Sequence, residues 1–399
     1  MITFQKFQNF EEAEPIQSEW DRFVEAQTAD IFLSFDWCRI WWKYYGRKRE
    51  PLLFVFRNDG QICGILPMFR EKIRLGPFSA RVVKPMCTDY SPVTVSIAVR
   101  TENLEEVIPL LLEELQKLSP WDILFFGALC GRYPDTDLLV GILKNHLGEK
   151  YCIESPQRDV QTYFRIEPDW EKQLLLMHSD CRHSTRRVYK AILKNDLDLN
   201  SRFASQETLQ KMFDEMAVAH RAQWNEKGMP GHFIEWPMAH QYHRELAETQ
   251  AKYDRLRLIE IRLNQTTIGY EFLYRFGDTY LHYSGARIHF KDERKIHFHR
   301  VAFGEMCRMA NKENIRWIDS MRGSYDFKKQ FGGQLLPIKN VIVSASKEGH
   351  ALKMKLFLLS VWLLNIGYSK IWRRRVMPKF GIKNKCFLDL WVRTHFLAE

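Results

Sequence analysis

Apolar and polar positions along this chain change period in the same order twice. Leu52 to Arg57 and Ile62 to Phe69 are runs rich in β-formers on either side of Asn58-Asp59-Gly60, the composition of a tight hairpin turn. Val93 to Val99 predicts a further strand. Leu104, Val107, Ile108, Leu111, Leu112 and Leu115 then recur at helical spacing within Glu102 to Leu118, and Trp121 to Phe126 follows as a buried strand. In the second half, Leu256 to Leu263 and Thr267 to Phe276 flank Asn264-Gln265, and Thr279 to Ser284 adds a strand after Gly277-Asp278. His297 to Asn311 is helical, and Ile315 to Ser320 closes the series.

Gly64 and Gly269 lie 205 residues apart, and Trp121 and Trp317 lie 196 apart, so a diverged repeat of about 200 residues accounts for both offsets. Between the halves the pattern is helical: Cys181 to Lys194, Gln206 to Glu226 with Ser205 as N-cap, and Pro237 to Tyr253 with proline in the first turn. Hairpin, helix and central strand in that order predict α+β lobes with mixed, mostly antiparallel sheets. The domains expected are 1–160, 161–345 and a basic tail, 346–399.

With 399 residues, 45% apolar and 27% charged, the chain has ample material for folded cores, which excludes collagen-like and disordered classes. Its eight cysteines are scattered, with no zinc-knuckle or redox spacing, and the acidic opening MITFQKFQNFEEAEP is unlike a signal peptide, so a reducing cytoplasm is expected. The formal charge of +10 is concentrated in the tail. Residues 350–399 hold six lysines and four arginines against two acids. The body is close to neutral and does not suggest general nucleic-acid binding.

The densest cluster of chemical groups is Ile318-Asp319-Ser320-Met321-Arg322-Gly323-Ser324-Tyr325-Asp326-Phe327-Lys328-Lys329-Gln330-Phe331-Gly332-Gly333. It resembles the closing motif of GNAT-fold acyltransferases of the FemAB and CelD-like (cellulose and polysaccharide biosynthesis) type. Cys181-Arg182-His183-Ser184-Thr185-Arg186-Arg187-Val188-Tyr189-Lys190-Ala191 is similar to their basic helix. His220-Arg221-Ala222-Gln223-Trp224 with Gly228, Gly231 and Phe233 is similar to a further stretch, and Phe35 to Trp42, GILPMF and Thr88-Asp89-Tyr90 match in outline. The resemblance spans roughly residues 20 to 345. It implies two tandem GNAT-like lobes and acyl transfer to a sugar or glycan intermediate of bacterial surface-polysaccharide synthesis, by direct attack of the acceptor on an acyl thioester.

Lys328, beside a turn with two glycines, can offer an ammonium to a phosphate or to a developing oxyanion, with Phe327 packed beneath it; the resemblance makes it a site residue and implies Arg322 and Gly323 beside the donor. Arg182, Arg186 and Lys190 follow one another at i+4, so three cations share a helix face and call for a phosphate-bearing donor or another anion. Acetyl-CoA or another acyl-CoA is the co-substrate implied. The stretch Arg287 to His297, where such proteins place a glycine-rich pyrophosphate loop, contains no glycine, which weakens coenzyme A as donor.

A general base is needed at the acceptor. Glu271, opposite the core face of its strand, His282 across the Gly277-Asp278 turn, and Asp89 are the candidates. The histidine pairs His240/His243 and His297/His299 lack a third ligand, so no metal is expected.

In the tail, Leu356 to Ile366 is apolar over about three turns, shorter than the ~20 residues a bilayer span needs. Lys353, Lys355, Lys370, Arg373, Arg374, Arg375, Lys379, Lys383 and Lys385 surround it. Two readings compete: an in-plane anchor on an anionic membrane at its cytoplasmic face, and a helix packed on the body. Two alternatives to the acyl-thioester reading stand. One is a Fem-like transferase using aminoacyl-tRNA, which makes tRNA the single nucleic-acid partner considered. The other is a non-catalytic, membrane-apposed scaffold of a polysaccharide synthase complex.

Overall fold

A computed structural model describes residues 1–28, 30–90, 96–118, 121–133, 136–291, 295–345, 350–382 and 386–398. In chain order the strands are β1 (Ile2–Phe7), β2 (Glu50–Asn58), β3 (Gln61–Leu75), β4 (Phe78–Pro85), β5 (Ala98–Val99), β6 (Ile123–Cys130), β7 (Tyr151–Glu154), β8 (Gln157–Arg165), β9 (Leu199–Phe203), β10 (Leu256–Leu263), β11 (Thr266–Phe276), β12 (Thr279–Arg287), β13 (Trp317–Arg322) and β14 (Gln334–Ala345). The chain forms two compact α+β units. One comprises Met1–Asp159, Pro337–Ile382 and Phe387–Glu399, and the other Val160–Leu336 with Lys383–Cys386.

The first unit carries strands in the order β1-β2-β3-β4-β6-β14, with β5 on β3 and β7 on β14. Its hairpin turns where expected: Asp59 and Gly60 both have positive φ, the geometry that matches the right-handed twist of the flanking strands. One face of the sheet is covered by the helix Leu104–Leu118, whose six periodic apolar residues are all buried. Burying each leucine contributes about 1.5–3 kcal/mol, which fixes the helix against Leu66, Val83 and Leu124.

The other face is covered in part by the chain's own C-terminus. Met354, Phe357 and Val361 of the helix His350–Asn365, together with Phe396, pack on Ile73, Val82, Ile123 and Phe125. The tail is therefore not a separate appendage. Its first turns are core of the first unit, as is most of β14, which lies inside the expected bounds 161–345 of the second lobe.

The second unit carries β8-β13-β12-β11-β10-β9. Its β10–β11 hairpin has Asn264 and Gln265 at positive φ. Gly269 faces Ile261 immediately before a bulge, as Gly64 faces Phe56 immediately before a bulge in β2–β3. Among the described pairings of each unit one is parallel, β4 with β6 and β12 with β13, each joined through a helix.

The helices Ser179–Lys194 and Phe298–Lys312 cover one face of this sheet, through Cys181, Val188, Val301 and Met306 among others. On the other face Phe213 of the helix Leu209–Glu226, His243 of the helix Ala239–Lys252 and Phe233 from the connection between them pack against Phe272 and Tyr283. The third helix starts at Ala239 rather than Pro237 because Met238 adopts a left-handed conformation (φ 62°) that breaks the helical path. Residues 91–95, part of the strand expected at Val93 to Val99, lie outside the described residues, as do Lys383 and Lys385. Ala98–Val99 is a short strand on β3.

Candidate active site

In the second unit the parallel pairing of β12 with β13 ends at Leu281 opposite Asp319, although β12 runs on to Arg287 and β13 to Arg322. The next residue on β12 is His282. Its Nε2 lies 2.6 Å from Oε2 of Glu271 on β11, which is 4% exposed. Sequence periodicity singled out both residues, and the antiparallel register of β11 with β12 joins them.

Gly285 is part of this arrangement, since a Cβ there would collide with the Glu271 carboxylate. With Nε2–H donating to Glu271, the neutral imidazole of His282 carries its lone pair on Nδ1, the form a general base requires. His282 remains about one-fifth exposed, so an acceptor can reach it.

Where β13 leaves β12 its carbonyls need other partners, and Lys328 supplies them. Its buried ammonium donates to the main-chain oxygens of Ser320 (2.5 Å), Met321 (3.2 Å) and Arg322 (2.9 Å). Three donors meet three acceptors, so the ammonium clamps the end of the strand and would have to release one carbonyl to face an oxyanion. This departs from the expected role.

The clamped turn is strained. Met321 has a φ of 61°, which costs a non-glycine residue about 1–3 kcal/mol. It is held by donation from its N–H to Oδ1 of Asp319 (2.8 Å), whose Oδ2 accepts from Gln161 (2.6 Å). Gly323, at φ 99°, donates to Val160 O and accepts from the Thr162 hydroxyl, each at 2.8 Å.

Phe327 does not lie beneath Lys328. It is half exposed and its ring is stacked between those of His299 (6.3 Å) and Tyr325 (6.0 Å). His299, in the first turn of Phe298–Lys312, was read only as part of a weak histidine pair. It is exposed to solvent, with the Phe298 and Phe327 rings beside it. Desolvation first, opposed by Glu271 and then assisted by Arg287 and Lys227, holds its pKa below the ordinary imidazole value.

The other expected residues are placed differently. Arg182 is half-buried, while Arg186 and Lys190 are exposed. Arg186 reaches Glu171 at 2.5 Å, so the cationic face of Ser179–Lys194 is partly neutralised by the protein itself. Asp89, in the first unit, is fully buried and ion-paired to Lys84 (2.8 Å) and Arg49 (2.7 Å). Two cations on one carboxylate make it a structural counter-ion rather than a base.

On the opposite face of the second sheet, His220 donates from Nδ1 to Gly285 O (2.9 Å), and His243 Nε2 accepts from the Tyr283 hydroxyl (2.8 Å). Burial pushes both down to about 4. They are neutral structural groups. His240 turns instead toward Asp214, and among the described residues no three metal-ligating side chains converge.

A cavity of about 710 Å3 also opens on this face, lined by Asp214, Glu215, Val218, Gln223, Tyr270 and Arg287 among others. Periodicity gave no signal for it, because its walls come from a helix and two strand ends distant in sequence.

Residues 179–329 match the family described as Acetyltransferase (GNAT) domain. No curated protein matches the chain in sequence. Among solved structures, FemX aligns over 86% of this chain and 98% of its own at 13% identity, with a TM-score of 0.61. A conserved protein of unknown function from Bacteroides thetaiotaomicron aligns over 86% and 100% at 12% identity, TM-score 0.52. A tandem GNAT protein from the clavulanic acid biosynthesis pathway aligns over 88% and 100% at 10% identity, TM-score 0.44. These are distant likenesses of fold. The sheet topology of the two tandem lobes is GNAT-like, and the chain carries a GNAT acetyltransferase domain, the equipment of an enzyme of acyltransferase type.

Proposed function

We propose that the protein transfers an activated acyl group to an amine or hydroxyl of a sugar or glycan intermediate of bacterial surface polysaccharide, as a FemAB- or CelD-like enzyme, with an aminoacyl ester of tRNA as the favoured donor. The observation that carries acyl transfer is the Glu271–His282 pair at the point where β12 and β13 part, within the matched domain. Glu271 orients His282, and Nδ1 of His282 takes the proton from the acceptor as it attacks the acyl carbonyl. The tetrahedral intermediate then collapses, and the carrier leaves with its oxygen or sulfur protonated.

Lys328 orders the end of β13, and exchange of one of its carbonyls for a substrate oxygen would bring it into contact with the intermediate. Arg182, Arg186 and Lys190 provide a surface for a phosphate-bearing carrier.

The choice of donor rests on the glycine-free segment Arg287 to His297, which supports an ester on tRNA over coenzyme A, and on the fold likeness to FemX along nearly its whole length. An acyl-CoA thioester is the second reading, favoured by the description of the matched family. Both carriers are cytoplasmic, and the acceptor class brings the protein to the inner face of the membrane, where a polysaccharide synthase complex is a natural neighbour.

The test is transfer of radiolabelled acyl groups to nucleotide- and lipid-linked sugars, comparing mixed aminoacyl-tRNA with acetyl-CoA. Product from the ester donor that disappears in Glu271→Gln is expected. Product from acetyl-CoA alone would replace the donor, and product undiminished in both Glu271→Gln and His282→Gln would remove the proposed pair.

A further inference from the structure

From Ala351 to Lys379 the chain is one helix, 29 residues long, and by length and composition alone it is apolar enough to cross a membrane. It widens to π-type turns across Ile366–Val376. The apolar run read from sequence was shorter because Gly367, Tyr368 and Ser369 interrupt it without ending the helix.

Two opposite stripes of this helix are apolar. Met354, Phe357 and Val361 face the first unit and are nearly inaccessible to solvent. Leu352, Leu359 and Leu363, displaced by about half a turn, are 50–66% exposed, and Trp362, Ile371, Trp372 and Phe380 extend the outer surface. An amphipathic surface helix leaves its outward stripe polar, so a second apolar stripe needs a partner.

The charges around the outer stripe identify that partner. Lys353, Lys355, Lys370, Arg374, Arg375 and Lys379 are all exposed, and no acid occurs between Ala351 and Leu388. Apolar side chains that include tryptophan, set among cations without counter-acids, complement the headgroup region of an anionic bilayer.

We infer that the outer face of Ala351–Lys379 is a lipid-docking surface that seats the first unit on an anionic membrane, with the helix lying in the plane of the interface. The inner stripe decides the orientation. A helix crossing the bilayer would have to strip Met354, Phe357 and Val361 from Val82, Phe125 and Phe396, whereas an in-plane helix keeps them packed. Docking places the membrane as a partner of the proposed transfer, yet it stands on this helix alone and is measured without turnover, so either can fail separately.

Flotation of the full-length protein with vesicles of equal parts phosphatidylglycerol and phosphatidylcholine, against phosphatidylcholine alone, tests it. Binding to the anionic vesicles is expected to be at least about tenfold tighter and to be weakened only partly by salt, because apolar insertion is not screened. The outer-face variant Leu359→Ser/Leu363→Ser and the charge variant Arg374→Glu/Arg375→Glu are each expected to lose about tenfold in binding, with unchanged circular dichroism. Val218→Ser, which alters an exposed apolar residue of the second unit, is expected to bind as the parent does.

Should an outer-face variant fold poorly, quenching of tryptophan by brominated lipid in the parent, reduced in Trp362→Phe, reads the same contact. Equal binding by parent and outer-face variants, or no binding to anionic vesicles, overturns the inference. So does a dimer seen by sedimentation that the outer-face variant abolishes while vesicles do not bind, since the stripe would then be covered by a second copy.

Discussion

In the first unit, parallel pairing of β4 with β6 stops at Val83 and Leu124. The next residue of β4, Lys84, is fully buried, bonded to Glu71 and Asp89 at 2.8 Å each, and donates to Arg393 O at 3.0 Å. Phe396 packs tilted against Phe125, ring centroids 4.3 Å apart, so the chain's own C-terminal segment fills the opening. In the second unit, pairing stops at Leu281 and Asp319, and the next residue of β12 is the partly exposed His282, held by Glu271. Two openings of the same topology thus have different contents. A buried five-charge network of Arg49, Glu71, Lys84, Asp89 and Arg393 seals one, and a solvent-reachable acid–base pair occupies the other. Under the proposed function, one copy of the repeat serves as scaffold while the other keeps room for chemistry.

The largest effect that would sharpen this contrast is kinetic. Glu271→Gln and His282→Gln are each expected to lower kcat/KM by about 100- to 10,000-fold, with thermal unfolding close to the parent's. Retained activity in both would place the chemistry elsewhere. The matching change in the first unit, Glu71→Ala, should act on stability instead. It leaves buried cations without a counter-charge and is expected to cost about 3–5 kcal/mol in denaturant unfolding, with turnover per folded molecule unchanged.

Acid should separate the units as well. Burial would raise the Glu71 carboxyl, but Lys84, Arg49 and Arg393 outweigh it and hold it down to about 2. A depressed carboxyl stabilises above its unfolded value near 4.5, and that contribution is lost only as pH falls from there toward about 2. His220 and His243 are held neutral, with pKa values of about 4 against 6.5, so protonation favours their unfolded state and their penalty begins below pH 6.5. Each can remove up to about 1.4 kcal/mol per pH unit between those values. Hydrogen exchange followed by mass spectrometry between pH 6.5 and 4.5 should therefore show Leu209–Glu226 opening before β4. The reverse order would contradict the assignment.

The smallest effect compares the paired glycines. A Cβ on Gly269 would run into the Phe298 ring and Ala286 O, whereas on Gly64 it meets Phe56 and Val99 at 3.4 Å. Gly269→Ala should cost about 1–3 kcal/mol and Gly64→Ala less than about 1, by thermal melts of single variants.

Local pattern carried much of the architecture. The Asn58-Asp59-Gly60 turn, the Leu104–Leu118 helix and the equivalence of Gly64 with Gly269 are properties of neighbouring residues and of period, which sequence displays directly. β1, β7 and β9 gave no comparable signal, because short or edge strands take their identity from the strand they pair with. In the site, the residue types Glu271, His282 and Lys328 were legible, and their partners were not. A carboxylate and an imidazole eleven residues apart meet through register, and a lysine's acceptors depend on where two strands separate.

The sequence by itself determined which segments are helix, hairpin and core, where the charge lies, and which side chains are able to move a proton, since each of these depends on composition and spacing along the chain. Tertiary structure alone decided that Asp89 is bound by two cations, that Lys328 holds a strand end, and that one stripe of the terminal helix is core while the opposite stripe is left uncovered. Contacts such as Arg49 with Asp89 and Glu71 with Arg393 join residues tens to hundreds of positions apart, and even the carbonyls that Lys328 reaches six to eight positions away are presented by the end of a strand whose pairing is non-local, so no local period encodes them.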